Sequence, residues 1–139
     1  MAYATQDDMI ERFGLQEVLQ RTDRERTGAI DAVALGRALD DADARIDGYL
    51  SGRYQVPLTT VPRLIVGIAC DLARYFLYDD IVTDGVKKRF DDAIKMLESI
   101  SKGSISLGTD SAQNAAQHLQ GVKYSAPGRV FNDSSLEGY

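Results

Sequence analysis

The sequence predicts a small all-α bundle of about four to five helices, followed by an extended C-terminal arm. Two patterns indicate the helices: apolar residues recur at steps of three and four along most of 1–108, and glycine or proline separates the periodic runs. The chain has 139 residues, of which 44% are hydrophobic, a length that suits one core rather than two. We therefore expect one helical domain over 1–108 and an arm over 109–139.

Two short helices are predicted at the start of the chain. Thr5 is a suitable N-cap because an acidic residue, Asp8, lies three positions later, and Gly14 ends the first helix. A second short helix continues to the polar loop at 22–28. The apolar positions of the two helices are Met9, Ile10, Phe13, Leu15, Val18 and Leu19.

A long amphipathic helix is predicted from Ile30 to about Leu50. Gly48 and Gly52 weaken its end by about 1 kcal/mol each relative to Ala. Pro57 favours extended backbone at the residue before it, so the chain turns at 55–57. The apolar positions inside this helix are Val33, Ala34, Ala38, Ala42, Ile46 and Tyr49.

The most apolar helix is predicted to start around Pro62, whose fixed φ and missing N–H suit a first helical turn. We take it as the central helix, because apolar residues cover one face and much of the rest. A last helix runs from about Asp84 to Lys102, with Gly103 as its C-cap. The inner faces are Leu64, Ile65, Ile68, Ala69, Leu72, Ala73, Phe76 and Leu77 in the central helix, and Val86, Phe90, Ile94, Leu97 and Ile100 in the last.

The composition changes after the last helix. Residues 108–128 are rich in Gly, Ser, Ala, Gln and Asn, with scarcely a large apolar residue, so this stretch is interpreted as a linker or arm. A polar end follows that carries a few apolar or aromatic residues and cannot bury them by itself. We expect these residues to anchor the arm on another molecule. The predicted protein-interface residues are Arg129, Val130, Phe131, Leu136 and Tyr139.

The loop before the long helix resembles part of a calcium-binding EF-hand loop, because acidic and hydroxyl residues alternate from Asp23 to Asp31. Such a loop needs a bidentate Glu at its twelfth position, where this chain has Ala34. Glu25 is also longer than the usual residue at the third position. A solvated turn that caps the long helix is the better interpretation, and no metal site is predicted.

No catalytic or cofactor-binding residue is predicted, and the chain is not expected to be an enzyme. His118 lies in the polar arm without a nucleophile or acid held beside it, whereas acid–base catalysis needs a fixed constellation. Cys70 lies on the most apolar helix and is interpreted as an inert core thiol. The glycines form no phosphate-binding motif. A single cysteine provides neither a disulfide nor a cysteine-based zinc site.

The charge balance limits the partners. A formal net charge of −5 argues against broad binding to nucleic-acid phosphates, although an acidic surface would let DNA pass without gripping it. The basic run 87–89 is flanked by aspartates, as expected for a mixed-charge helix face. The longest apolar stretch, 64–70, is far shorter than the about 20 residues of a membrane span, and the N-terminus lacks the order of a signal peptide. No membrane partner is expected.

Several aromatic residues lie at helix spacing. Core packing is the first interpretation for this set. Tyrosine also suits a surface that is apolar at one end and wet at the other, so part of the set is a candidate interface between subunits. The residues are Tyr49, Tyr54, Tyr75, Phe76, Tyr78 and Phe90.

One ordered set of residues and short motifs spans nearly the whole chain. Its members are Tyr3-Ala4, Asp8 to Gly14, Ile30-Asp31, Ala38-Leu39, Asp43, Ile46-Asp47, Tyr49-Leu50, Arg53-Tyr54, Pro57-Leu58, Val61-Pro62, Asp71 to Tyr75, Leu77-Tyr78, Arg89-Phe90, Leu97, Arg129, Phe131 and Tyr139. No single member is diagnostic, but the ordered set resembles the small head-tail connector (adaptor) proteins of Mu-like tailed phages and prophages.

The resemblance implies a helical structural protein with no enzymatic activity and no cofactor. It implies a homo-oligomeric, dodecameric ring below the portal protein that joins the packaged head to the tail. The implied partners are further copies of the chain, the portal, a stopper or tail-terminator protein, and DNA that passes without sequence-specific binding. The implied location is the neck of the virion, with host cytoplasm during assembly. A bundle with an arm that it cannot bury also suits a ring in which each arm crosses a neighbour.

Two alternatives stay open at this point. The first is a tail-completion or stopper protein, which would occupy another position in the neck. A different class altogether is a small helical binding module or regulator that works as a monomer or dimer, for example as an inhibitor of a host protein.

Overall fold

The computed structural model describes residues 2–79 and 81–108, and five α-helices follow one another along them. No strand occurs within those ranges, so the predicted all-α bundle is confirmed. None of the five helices is both long and apolar enough to cross a membrane. The predicted arm, with Arg129, Val130, Phe131, Leu136 and Tyr139, lies outside the described residues, and the domain boundary stays a prediction. The helices are α1 (Gln6–Phe13), α2 (Leu15–Thr22), α3 (Ala32–Leu50), α4 (Arg63–Leu77) and α5 (Asp84–Lys102).

The central helix is α4, as its apolar composition predicts. It packs against α3, α5 and α1, and α3 and α5 also contact each other. Burial of one Leu or Ile side chain stabilises a fold by about 1.5–3 kcal/mol, so this helix makes a large contribution to the core. Its buried residues are Ile65, Ile68, Ala69, Cys70, Leu72, Ala73 and Leu77.

The predicted N-cap Thr5 is observed at α1, and Asp31, the last residue of the turn that was expected to cap the long helix, is the N-cap of α3. At α1, the Thr5 hydroxyl accepts from the Asp8 backbone N–H at 3.3 Å, and the Asp8 carboxylate accepts from the Thr5 N–H at 2.9 Å. At α3, the Asp31 carboxylate accepts from the N–H groups of Val33 and Ala34 at 2.9 and 3.2 Å. Both arrangements satisfy N–H groups that the helix itself leaves without acceptors.

The ends of α4 and α5 also follow from local chemistry. Pro62 lies directly before the first residue of α4 and has no N–H to satisfy. At α5, the Thr83 hydroxyl accepts from the Val86 N–H at 3.4 Å, a cap that the sequence interpretation did not include. Gly103 ends α5 in the left-handed conformation, with φ of 87°, as predicted.

Tyr3 ties the N-terminus to two later parts of the chain. It is 3% exposed, and its N–H donates to the Asp43 carboxylate on α3 at 3.1 Å. Its hydroxyl donates to the Asp47 carboxylate and accepts from the Leu58 N–H, the latter at 3.1 Å. All four residues belong to the set that carries the family resemblance, so this part of the likeness reflects how the fold is held together.

The segment between α3 and α4 is held against the end of α5. Arg53 donates from Nη1 to the Ile100 carbonyl at 2.7 Å, which satisfies a C-terminal carbonyl and places a cation at the negative end of the helix dipole. The Tyr54 hydroxyl accepts from the Leu107 N–H at 3.2 Å. These bonds join residues about fifty positions apart in the sequence. They therefore fix the segment that follows α3 against the C-terminal end of α5.

Candidate functional site

The loop that resembles an EF-hand closes around its own aspartate. The Asp23 carboxylate accepts from the N–H and hydroxyl of Thr27 at 2.8 and 3.0 Å, and from the Gly28 N–H at 2.8 Å. These hydrogen bonds lower the pKa of Asp23, and the bond from the Thr27 N–H has the largest effect. The carboxylate therefore acts as the centre of a turn. Across 2–79 and 81–108, no group of three or more His, Cys, Asp or Glu side chains lies together in a way that would hold a metal ion.

The Cys70 thiol is enclosed in the core. Burial raises the pKa of Cys70 to about 12, and its side chain is fully covered. Since the thiolate is the nucleophilic form, a thiol in this environment is inert. His118, the other residue considered for chemistry, lies outside the described residues.

An open groove of about 610 Å³ lies between α3 and α4. On α3 its residues recur at steps of three and four, so they form one stripe along the helix. On α4 a single aromatic side chain closes the other side. We call this surface the aromatic groove, and its residues are Asp41, Ala44, Arg45, Gly48, Tyr49 and Phe76.

The aromatic groove combines apolar walls with free space. Tyr49 and Phe76 are half-buried, whereas Ala44 and Gly48 are exposed. A Cβ atom placed on Gly48 would meet no other heavy atom within 4 Å. A side chain from another molecule would therefore find apolar contact area without displacing part of this chain.

Neighbouring rings hold the Phe76 side chain in position. Phe90 on α5 packs edge-on against Phe76, with centroids 6.0 Å apart, and stacks on Tyr75 at 4.0 Å. The Arg45 guanidinium lies 5.6 Å from the Phe76 centroid. Aromatic pairs contribute about 0.5–1.5 kcal/mol beyond their burial, so the wall of the groove is ordered before any partner arrives.

The other two members of the aromatic set have internal roles. Tyr54 is 5% exposed and binds Leu107, as described above. The Tyr78 hydroxyl donates to the Glu17 carboxylate at 3.0 Å, and Arg21 covers its ring at 3.8 Å. The hypothesis that part of the aromatic set forms an interface is thus narrowed to the residues around the aromatic groove, where it stays a prediction.

A second groove, of about 370 Å³, lies between α1, α4 and α5. Arginine side chains from all three helices line it, together with apolar residues of α4 and α5. We call it the arginine groove. Its residues are Arg12, Arg63, Leu64, Gly67, Ile68, Asp71, Arg89, Asp92, Ala93 and Met96.

Asp71 lines the arginine groove, and burial has the largest effect on its ionisation. Burial raises the pKa of Asp71, although attraction to Arg89 and Arg12 acts in the opposite direction. The Arg89 guanidinium is 3.8 Å from the Asp71 carboxylate, too far for a hydrogen bond. Arg12 lies against the backbone of α4, because a Cβ on Gly67 would come within 3.3 Å of its Nη1 atom.

Five helices packed around one core, with open grooves on the surface of the described residues, define a small all-α protein. The sequence comparisons make the class specific, since they place the chain among proteins of Mu-like bacteriophages and prophages. A family model described as Bacteriophage Mu, Gp36 matches residues 3–125. The chain therefore belongs to this family, and the resemblance inferred from the sequence is confirmed at that level.

Two relatives show how far the similarity extends. The chain is 32% identical over 137 residues to the Mu-like prophage FluMu protein gp36 of Haemophilus influenzae, which covers 99% of this chain and 97% of the relative. It is 34% identical over 118 residues to gene product J of Escherichia phage Mu, covering 84% and 83% of the two chains. The similarity therefore extends over most of this chain and most of each relative.

The two grooves were not predicted from the sequence as sites. The predicted aromatic set included Tyr49 and Phe76. It did not include the small residues Ala44 and Gly48, which leave space beside them. The basic run at 87–89 was interpreted as a mixed-charge face, and Arg89 is the one member that lines the arginine groove. The signal that would have found this groove is the presence of Arg12, Arg63 and Arg89 beside apolar helix positions, which requires knowing how three helices pack.

Proposed function

We propose that the protein is a structural component of a Mu-like phage particle, a head-tail connector (adaptor) without catalytic activity. In this proposal, identical copies form a ring between the portal and the tail and take part in head completion and DNA passage. The observation that carries the proposal is membership of the Mu Gp36 family over nearly the full length of both chains. The aromatic groove supports it, because ring assembly requires surfaces made for contact between copies.

Ring geometry sets a requirement that the aromatic groove fits. In a ring, each copy contacts the next through two different surfaces, so one surface must receive what the other presents. The groove is a receiving surface: it is concave, has apolar walls from Tyr49 and Phe76, and carries one charge of each sign, Asp41 and Arg45. Aromatic residues and arginine are enriched at interfaces of this kind.

The test is to delete the gene from an inducible prophage of this type and to examine the lysate by electron microscopy. The proposal expects filled or partly filled heads and separate tails, with few joined particles. Supplying the wild-type chain from a plasmid should restore joined particles. Normal tailed particles in the absence of the chain would overturn the proposal.

The alternatives give different lysates. A regulator of a host protein would change the yield of heads and tails together, without separating them. If the chain is a tail-completion protein, the tails and not the heads would be defective, so mutant heads would still join purified wild-type tails in vitro. For a connector, mutant heads would fail in that mixture until the purified chain is added.

A further inference from the structure

The arginine groove carries a positive charge on an otherwise acidic body. Residues 1–108 contain 14 Lys and Arg against 18 Asp and Glu, a formal net charge of −4. The groove, by contrast, has three arginines against two aspartates. An acidic ligand would therefore be repelled by much of the body and attracted to this groove.

Two of the three arginines are available to a ligand. Arg12 and Arg63 are exposed, and neither makes an ion pair with any other residue between 2 and 79 or 81 and 108. Arg89 faces Asp71 at 3.8 Å and keeps 59% of its side chain exposed. Three guanidinium groups from three helices thus surround one concave surface with unused hydrogen-bond donors.

Apolar side chains also line the arginine groove. Leu64 is 39% exposed, an unusual position for a large aliphatic side chain on the most buried helix. Met96 of α5 is half-buried and lines the same groove. A matching ligand combines acidic groups with apolar side chains.

One segment of this chain has that chemistry. Residues 132–139 read Asn-Asp-Ser-Ser-Leu-Glu-Gly-Tyr, with a formal charge of −2 from Asp133 and Glu137. Leu136 and Tyr139 are its apolar residues. These two were predicted from the sequence to anchor on another molecule.

We propose that residues 132–139 of one copy bind in the arginine groove of a neighbouring copy. In this arrangement, Asp133 and Glu137 pair with the groove arginines, and Leu136 and Tyr139 cover Leu64 and Met96. The inference rests on the proposed function, because a ring places neighbours at high local concentration. It adds a second contact between neighbouring copies to the one proposed at the aromatic groove.

The chain length allows this contact. The 23 residues from 109 to 131 can span at most about 80 Å. A folded body of this size has a radius of gyration of about 13 Å, so the segment can pass beyond its own bundle to the next copy.

An acidic peptide fits the groove better than a nucleic acid. The phosphate backbone offers charge but nothing to cover Leu64 and Met96. Asp71 and Asp92 would face the phosphates and repel them. The mixed surface therefore favours a peptide with both kinds of side chain.

Cross-linking between two different full-length chains tests the contact. One chain carries Leu64→Cys and a size tag, and the other carries Leu136→Cys. They are mixed and treated with a short bismaleimide, and Cys70 does not react because it is buried. The proposal expects a cross-linked pair of unequal chains on a denaturing gel. A third chain, which carries both substitutions, tests for contact within one chain. Cross-linking within that chain, with no cross-linked pair from the mixture, would overturn the proposal.

Charge reversal decides whether the groove arginines hold the segment. Arg63→Glu with Arg89→Glu in the first chain should lower the cross-linked yield at least tenfold. Asp133→Arg with Glu137→Arg in the second chain should restore most of it. Lys87→Glu with Lys88→Glu is the matched control, since it makes the same change in charge on exposed α5 positions outside the groove and should leave the yield unchanged.

The remaining outcomes are also decisive. An unchanged yield in the Arg63→Glu, Arg89→Glu variant would overturn the inference, as would a loss that the compensating chain does not restore. Loss of binding to a DNA fragment in the same variant, without a change in cross-linking, would assign the groove to nucleic acid instead. Failure here leaves the lysate test of the connector role unaffected, because that test does not depend on which surfaces touch.

Discussion

At the scale of single residues, Tyr3 shows how one side chain joins distant parts of this fold. Its partners on α3 and at Leu58 lie 40 to 55 positions away in the sequence. Replacement by Phe keeps the ring but removes the hydroxyl. The buried Leu58 N–H and the half-buried Asp47 carboxylate then each lose a partner. Tyr3→Phe should therefore lower the free energy of unfolding by about 2 kcal/mol at neutral pH. Urea denaturation of the full chain measures this loss.

The same residue predicts a dependence on pH. Burial, followed by the hydrogen bond to Asp47, raises the pKa of Tyr3 to about 12 from its ordinary value of 10.0. Its stabilising effect is complete below pH 10, where both states hold the proton, and is lost between pH 10 and 12, where only the unfolded chain ionises. The stability difference between wild type and Tyr3→Phe should shrink across that window. Tyr49→Phe is the control, and an equal change in that variant would contradict the assignment.

At Asp71, burial disfavours the ionised form of the carboxyl more than the nearby arginines favour it. Because its pKa is raised in the folded protein, the ionised form is disfavoured relative to the unfolded chain. Asp71→Asn should therefore raise the free energy of unfolding at pH 7, by about 0.5 kcal/mol. This increase in the free energy of unfolding should disappear as the pH falls below 3.8, where the wild-type carboxyl is protonated in the folded and the unfolded chain alike. Thermal melts at the two pH values test this, with the exposed Glu98→Gln as control. A gain that persists at the lower pH would show that the carboxylate charge is not its cause.

At the scale of helices, Gly14 separates α1 from α2 in a backbone conformation that L-residues rarely adopt. Its φ is 88°, and nothing lies within 4 Å of an added Cβ, so the cost of Gly14→Ala arises from the backbone alone. We expect a loss of about 2 kcal/mol. Gly36→Ala within α3 also meets open space but has an ordinary helical φ, and should stabilise by about 1 kcal/mol. Chemical denaturation of both variants should give opposite signs; a shared sign would contradict this account.

The helices could be predicted because their signals are local. The Thr5 cap, the Gly14 corner and the Gly103 end each depend on residues within one or two turns, and the predicted bounds of α5 match the observed ones. Thr83 was missed, although a hydroxyl residue just before the predicted start could have revealed it. The grooves could not be predicted in this way. Their shape depends on which faces of α1, α3, α4 and α5 meet, and a sequence period gives only the inner face of each helix.

At the scale of the whole molecule, the surfaces divide into those that hold the body together and those left open to partners. Tyr3, Arg53 and Tyr54 bind within the chain and account for part of the family resemblance. The aromatic groove and the arginine groove have exposed charged and apolar groups with few internal partners among the described residues. The proposed connector role needs both properties, since a rigid body must present fixed surfaces to its neighbours.

Gly48 offers a way to close the aromatic groove without harming the fold. It is exposed, it lies within α3, and a Cβ there meets open space, so Gly48→Gln should leave the monomer as stable as wild type or slightly more stable. The added side chain would occupy the space that a neighbouring copy is expected to fill. Supplied to the deleted prophage, this variant should therefore restore at least tenfold fewer joined particles than wild type. Gly36→Gln adds the same side chain to the same helix outside the groove and should restore them fully. Equal restoration by the two variants, with matching thermal stability, would exclude the aromatic groove from the assembled neck.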